Sequence, residues 1–118
     1  MKHTVSKRFS FEAAHSLPHL PAGHKCRNLH GHSYVVEVLI TGPLDERGFV
    51  VDYADISAAM GAEIARLDHQ NLNEILPFPT TAELIAGYFL QLMEVKFPAM
   101  KIAIQLYETA KTCVRVER

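Results

Sequence analysis

Seven histidines occur in 118 residues, and six of them fall between His3 and His32. His30 and His32 are separated by a single glycine. On a β-strand, residues at i and i+2 share a face and lie about 7 Å apart, which suits two ligands of one ion. His15 closes a segment in which Phe9, Phe11, Ala13 and His15 alternate with Arg8, Ser10 and Glu12. If the two segments pair antiparallel, His15 at the end of one lies beside His30 and His32 at the start of the other. Three neutral imidazoles with a fourth position left open describe a catalytic zinc site; structural zinc sites are closed by four protein ligands. Each histidine taken alone is more simply a surface or core residue, and it is the trio that argues for metal. Gly31 between two ligands leaves the backbone free to adjust or to approach a bound molecule.

Other groups could move protons. Cys26 lies four residues before His30, among His24, Lys25 and Arg27. Neighbouring cations favour a thiolate, and a thiolate near a Lewis acid can take a proton from carbon; the plainer alternative is an inert thiol. In Asp68-His69 the carboxylate can fix the imidazole tautomer for acid-base work, or the histidine can simply favour a helix C-terminus. Glu108 continues the row Ile102, Ile104, Leu106. A carboxylate at the end of a buried row needs a partner, such as the N–H groups of a heterocycle, unless it emerges into solvent. Thr81 is accounted for as a helix cap. Cys113 has no chemical neighbours and is read as structural.

The elements that would position these groups follow from periodicity. Alternation predicts strands over 4–15 and 30–41, joined by a loop carrying Pro18, Pro21 and Gly23. Asp52 caps a helix with apolar positions Ile56, Met60, Ile64 and Leu67, and 67–79 reads as irregular. Thr80 or Thr81 caps a second helix, with Thr80 and Glu83 at capping-box spacing, an apolar stripe of Leu84, Ile85, Tyr88, Phe89 and Leu92, and Pro98 just past its end. Two more strands cover 101–108 and 112–117. The expectation is a single α+β domain over 1–118: a four-stranded antiparallel sheet with two helices on one face.

Composition bounds the function classes. The chain is 48% hydrophobic and 21% charged with a net charge of -1, as expected for a globular domain. It lacks the basic excess of a nucleic-acid binder, so no nucleic-acid partner is expected. No run approaches the roughly 18 apolar residues of a membrane span, and the first residues lack the apolar stretch of a secretory signal. The expected location is the cytoplasm, where Cys26 and Cys113 stay reduced. The cluster His24, Lys25 and Arg27 is too small for a duplex but large enough to meet one anionic small molecule.

These residues, taken in order, resemble a known family. FSFEAAHSLP, CRNLHGHSY, GFVVDYADI, LDHQNLN, TTAE and YET follow one another as in the family of 6-pyruvoyltetrahydropterin and 6-carboxytetrahydropterin synthases, from about Lys7 to the C-terminus. The resemblance implies zinc on His15, His30 and His32, a catalytic cysteine at Cys26, a catalytic Asp68–His69 pair, and a pterin ring held by Glu108 with support from Thr81. It implies the T-fold, whose sheets assemble into barrels as two stacked trimers, with Asp68 and His69 reaching a neighbouring subunit's zinc. The short CRNLHGH spacing and the GHKC lead-in are similar to the bacterial carboxy branch of queuosine biosynthesis. That branch implies conversion of 7,8-dihydroneopterin triphosphate to 6-carboxytetrahydropterin, acetaldehyde and triphosphate. Ser16 departs from the arginine that the family often carries after the first zinc histidine, and Ser57-Ala58-Ala59 stands where a lysine is common. The alternatives are triphosphate elimination to the pyruvoyl product, a non-catalytic zinc-binding module, and a metal-dependent hydrolase, for which no carboxylate near the metal is evident from sequence.

Overall fold

The computed structural model describes residues 1–118. Strand β1 (His3–His15) runs into a loop with a short 3-10 turn at Lys25–Arg27, then β2 (His30–Gly42). Helix α1 (Tyr53–Leu67), β3 (Gln70–Asn71), α2 (Leu72–Ile75), α3 (Ala82–Lys96), β4 (Lys101–Thr109) and β5 (Thr112–Glu117) complete the chain. One sheet has the order β3-β1-β2-β4-β5.

β1 and β2 pair antiparallel along their whole length, with His15 opposite His30 and Ala13 opposite His32. This is the arrangement the alternating pattern requires. β4 pairs antiparallel with β2 and β5 with β4. α1 packs on β1, and α3 packs on β4 and β5.

The sheet has five strands where the sequence suggested four. Residues Gln70 and Asn71 form a two-residue strand parallel to β1 at Ala13 and Ala14. Together with α2, this replaces the irregular segment expected over 67–79 and raises the helices from two to three. Neither element is long enough to show a period, and their hydrogen bonds come from β1 and from the Asn71 cap, which accepts from the Asn73 N–H. Such tertiary and local polar ties are invisible to hydrophobic patterning.

Asp52 caps α1 by accepting from the Ala54 N–H, and Thr81, not Thr80, caps α3 by accepting from the Leu84 N–H. The buried face of α3 is Ala82, Ile85, Ala86, Phe89, Leu90 and Met93. Leu84, assigned to the apolar stripe from sequence, is 47% exposed. The core joins this face to Ile56, Met60 and Leu67 of α1 and to the inward rows Phe11-Ala13, Tyr34-Val36-Val38-Ile40 and Ile102-Ile104-Leu106. The inward row of β1 and the inward row of β2 both run without a break from this core into the histidines.

Candidate metal centre and active site

His15, His30 and His32 converge. One ring nitrogen from each lies within 4.8 Å of the others, and the ring centroids are 4.6 to 5.1 Å apart. The floor beneath them is Tyr34, stacked on Phe11 at 4.9 Å and edge-on to His32 at 5.4 Å.

Two of the rings are held by backbone partners that decide which nitrogen is bare. His15 is 1% exposed, and its Nδ1 lies 2.8 Å from the Thr80 carbonyl oxygen. A carbonyl only accepts, so Nδ1 carries the proton and Nε2 presents its lone pair. That Nε2 is buried with no hydrogen-bond partner. His30 Nδ1 donates in the same way to the Asn28 carbonyl at 2.7 Å, leaving its Nε2 bare. Burial pushes the His15 and His32 imidazoles below their ordinary pKa, and His30 adds to the shift in both. Neutral rings with Nε2 free are the form that ligates a metal.

Glu108 stands at the same place. Its Oε2 is 3.4 Å from His15 Nε2 and 3.8 Å from His32 Nε2. Burial raises its pKa, an effect that His30 opposes and Glu83 reinforces. A carboxylate oxygen and a bare imidazole nitrogen cannot bond each other without a proton or cation between them, and an orphaned buried acceptor is costly. The donor set and the orphaned Nε2 therefore fit a divalent ion such as zinc. The sequence reading that no carboxylate lies near such a site is corrected: β4 brings Glu108 to it from the far side of β2. The Tyr34 hydroxyl is also buried without a partner, and burial together with the Glu108 charge holds its pKa above the ordinary phenol value.

The remaining expected residues lie on other elements of the chain, outside the converging trio. Cys26 is half-buried in the 3-10 turn, on the loop that joins the ends of β1 and β2. Asp68 is the C-cap of α1. Its Oδ1 accepts from the Glu12 N–H at 2.9 Å and its Oδ2 meets His69 Nδ1 at 3.0 Å. These bonds, Glu12 first, hold its carboxyl below the usual range. His69 has φ of 60°, the left-handed region that non-glycine residues rarely enter. Its N–H bonds to the Glu12 carbonyl and its ring is 77% exposed. Backbone strain held by such bonds is commonest at functional sites. His69 and His32 border one open cleft of about 570 Å³. An adjoining cleft of about 620 Å³ is lined by His32, Tyr107 and Glu108. The Thr81 hydroxyl is occupied as the α3 cap.

Sequence reasoning missed Thr80. It is fully buried, and its carbonyl and hydroxyl both face His15 Nδ1, at 2.8 and 3.2 Å. A signal was present: of two adjacent threonines only one can cap the helix, which leaves the other for a separate task. Outer partners of a ligating histidine are typically worth about 10- to 100-fold in metal affinity. Here the nearer partner is a backbone carbonyl, which substitution retains. Thr80→Val is thus expected to weaken metal binding by less than about tenfold, measured by competition with a chromophoric chelator.

Known proteins resemble this chain over most of its length. The family model described as "6-pyruvoyl tetrahydropterin synthase" matches residues 4–118. A Synechocystis protein named 6-carboxy-5,6,7,8-tetrahydropterin synthase is 34% identical over 119 residues, covering 94% of this chain and 90% of its own. A Pyrococcus furiosus protein named dihydroneopterin monophosphate aldolase is 35% identical over 81 residues, 69% of this chain and 67% of its own. The structure of Caenorhabditis elegans 6-pyruvoyl tetrahydropterin synthase superposes with a TM-score of 0.87 at 26% identity, covering 100% of this chain and 96% of that one. With its T-fold, its converging histidines and a family match over nearly its whole length, the chain belongs to the 6-pyruvoyl tetrahydropterin synthase family.

Proposed function

We propose that this tetrahydropterin synthase is the zinc-dependent carbon-carbon lyase of queuosine (7-deazapurine) biosynthesis, converting 7,8-dihydroneopterin triphosphate and one water to 6-carboxy-5,6,7,8-tetrahydropterin, acetaldehyde and triphosphate. The observation that carries the metal-dependent chemistry is the convergence of three imidazoles, two with Nδ1 engaged by backbone carbonyls so that Nε2 faces the centre. The carboxy branch is supported by the short CRNLHGH spacing and by bacterial relatives bearing that name.

Zinc held by His15, His30 and His32 would supply a Lewis acid that lowers the pKa of the substrate's side-chain hydroxyls. The chain's own residues do the rest. Cys26 thiolate removes a proton from the side-chain carbon next to the ring. His69, its Nδ1 fixed by Asp68, shuttles protons through Nε2. Glu108 accepts the pterin N–H groups and orients the ring, with support from Thr81. A ring N–H donated to Glu108 is a charge-assisted bond, worth about 1.5 to 3 kcal/mol. Glu108→Ala is expected to raise KM by about 10- to 100-fold with a smaller change in kcat, read from steady-state kinetics.

The working form in this proposal is a homohexamer of two trimers in which Asp68 and His69 serve a neighbouring subunit's site. Two features support it. The outer edge of β1 pairs with β3 only at Ala13 and Ala14, and β5 has a neighbour on one side only; exposed edges of this kind are usually covered. The His69 ring, moreover, is exposed in the single chain. The proposed location is the cytoplasm; no helix is long and apolar enough to cross a membrane.

The rival on the same scaffold is elimination of triphosphate to 6-pyruvoyltetrahydropterin. Incubation of purified protein with 7,8-dihydroneopterin triphosphate separates the two. Acetaldehyde in equal amount to the pterin product is the expected result, and a pyruvoyl pterin without acetaldehyde overturns the carboxy assignment.

A further inference from the structure

We infer that Arg27 is a positioning residue for Cys26, a clamp that fixes the loop on which the thiol is carried. The inference rests on the reading of Cys26 as the base.

The loop over 16–29 joins the two metal-bearing strand ends, yet none of its residues is buried. It has no apolar anchor and no strand ladder, so polar ties must hold its shape. They converge on Cys26 from three sides. The Cys26 N–H donates to His24 Nδ1 at 3.1 Å, which caps the 3-10 turn. The Cys26 carbonyl accepts from the Leu17 N–H at 2.8 Å, across the loop. The next residue supplies the third tie: Arg27 Nη1 donates to the Pro18 carbonyl at 2.8 Å and to the Leu20 carbonyl at 2.7 Å. The outgoing arm of the loop is anchored separately, through Asn73 Oδ1 and Nδ2 to the Ser16 N–H and carbonyl. Arg27 thus ties the turn bearing Cys26 to an arm that is itself fixed to the body of the protein.

Charged donors make the stronger hydrogen bonds, and one guanidinium closing two carbonyls sets the separation of the two arms. Without it, the Cys26 turn keeps only the single Leu17 bond across the loop. Misplacement of a catalytic group by about 1 Å from a change away from the chemistry costs on the order of 100-fold. With its Nη1 committed to two backbone carbonyls, Arg27 acts through the position of the thiol.

The test uses the full-length, metal-loaded protein with Cys113→Ser, so that iodoacetamide reports on Cys26 alone. Alkylation is measured in its pH-independent limit, which removes any effect of Arg27 on the thiolate fraction. Arg27→Ala is expected to raise that limiting rate severalfold, because the half-buried thiol is released. The same variant is expected to lower kcat by about 10- to 100-fold with KM and metal content unchanged. An unchanged alkylation rate overturns the clamp. Faster alkylation with unchanged kcat overturns its role in turnover, and a raised KM with unchanged kcat makes Arg27 a substrate contact instead. If Arg27→Ala is insoluble, Arg27→Gln is read by the same criteria. Activity retained by Cys26→Ala would instead defeat the reading of Cys26 as base, while the alkylation measurement still decides the clamp.

Discussion

Cys26→Ala is expected to reduce turnover by at least about 100-fold, and up to about 10,000-fold, the range that a positioned general base contributes. Metal content and folding should be unaffected. Both halves of that statement come from the structure. The three donors that converge are all imidazoles, so removing a thiol leaves the ligand set intact. Cys26 is only half-buried, in an exposed 3-10 turn, so its loss opens no core cavity. The thiol is close to the trio in sequence and topology without being part of it, which is the placement expected of a proton acceptor. Metal analysis and kcat measured on the same sample make the check. Loss of metal along with activity would make Cys26 a ligand, and near-normal turnover would remove it from the mechanism.

The second large effect concerns His15. His15→Ala should lower metal affinity by more than the roughly 100-fold that marks the upper end for outer-shell partners, since it deletes a donor outright. It should also cost stability in the metal-free protein. The ring is 1% exposed, bonded to Thr80 and edge-on to Tyr34 at 6.0 Å. Its deletion leaves the buried Thr80 carbonyl without that donor. His32→Ala removes a more exposed ring, so it should match the loss of metal with a smaller loss of folding stability. Equilibrium denaturation with and without chelator separates the two contributions.

A pH dependence follows from the same burial. His15 and His32 have pKa values below 6.5 in the folded chain. In the unfolded chain they return to the ordinary value, so the unfolded state binds more protons as pH falls through about 6.5. Stability of the metal-free protein should therefore be full above that range and decline below it. Bound metal competes with those protons, and the holoprotein should hold its stability to lower pH than the metal-free form.

How far these features can be read from sequence differs from residue to residue. The inward row ending in His15 and the row starting at His30 were both legible, because strand alternation has a period of two and turns directly into which side chains share a face. Antiparallel pairing then brings the three imidazoles together with no further information. β3 and α2 were not legible. Two strand residues and a single helical turn carry no period, and they exist because β1 offers a free edge at Ala13 and Ala14. Leu84 misled because a helix near the end of a sheet buries only part of an apolar stripe, and Ala82 and Ala86 fill the face that Leu84 was assigned. Glu108 was recognised as a carboxylate in need of a partner. Which partner it meets depends on the β2–β4 register, and that is a tertiary fact. Thr80 was hidden by its neighbour, since a capping motif explains either threonine equally well until the helix start is known.

Zinc K-edge X-ray absorption on the zinc-loaded protein addresses the central claim most directly. Three nitrogen scatterers at about 2.0–2.1 Å with the imidazole outer-shell pattern, one light-atom ligand and no sulfur are expected. A sulfur scatterer at about 2.3 Å, or fewer than three imidazoles, would contradict a site built on His15, His30 and His32 with Cys26 left free to act as a base.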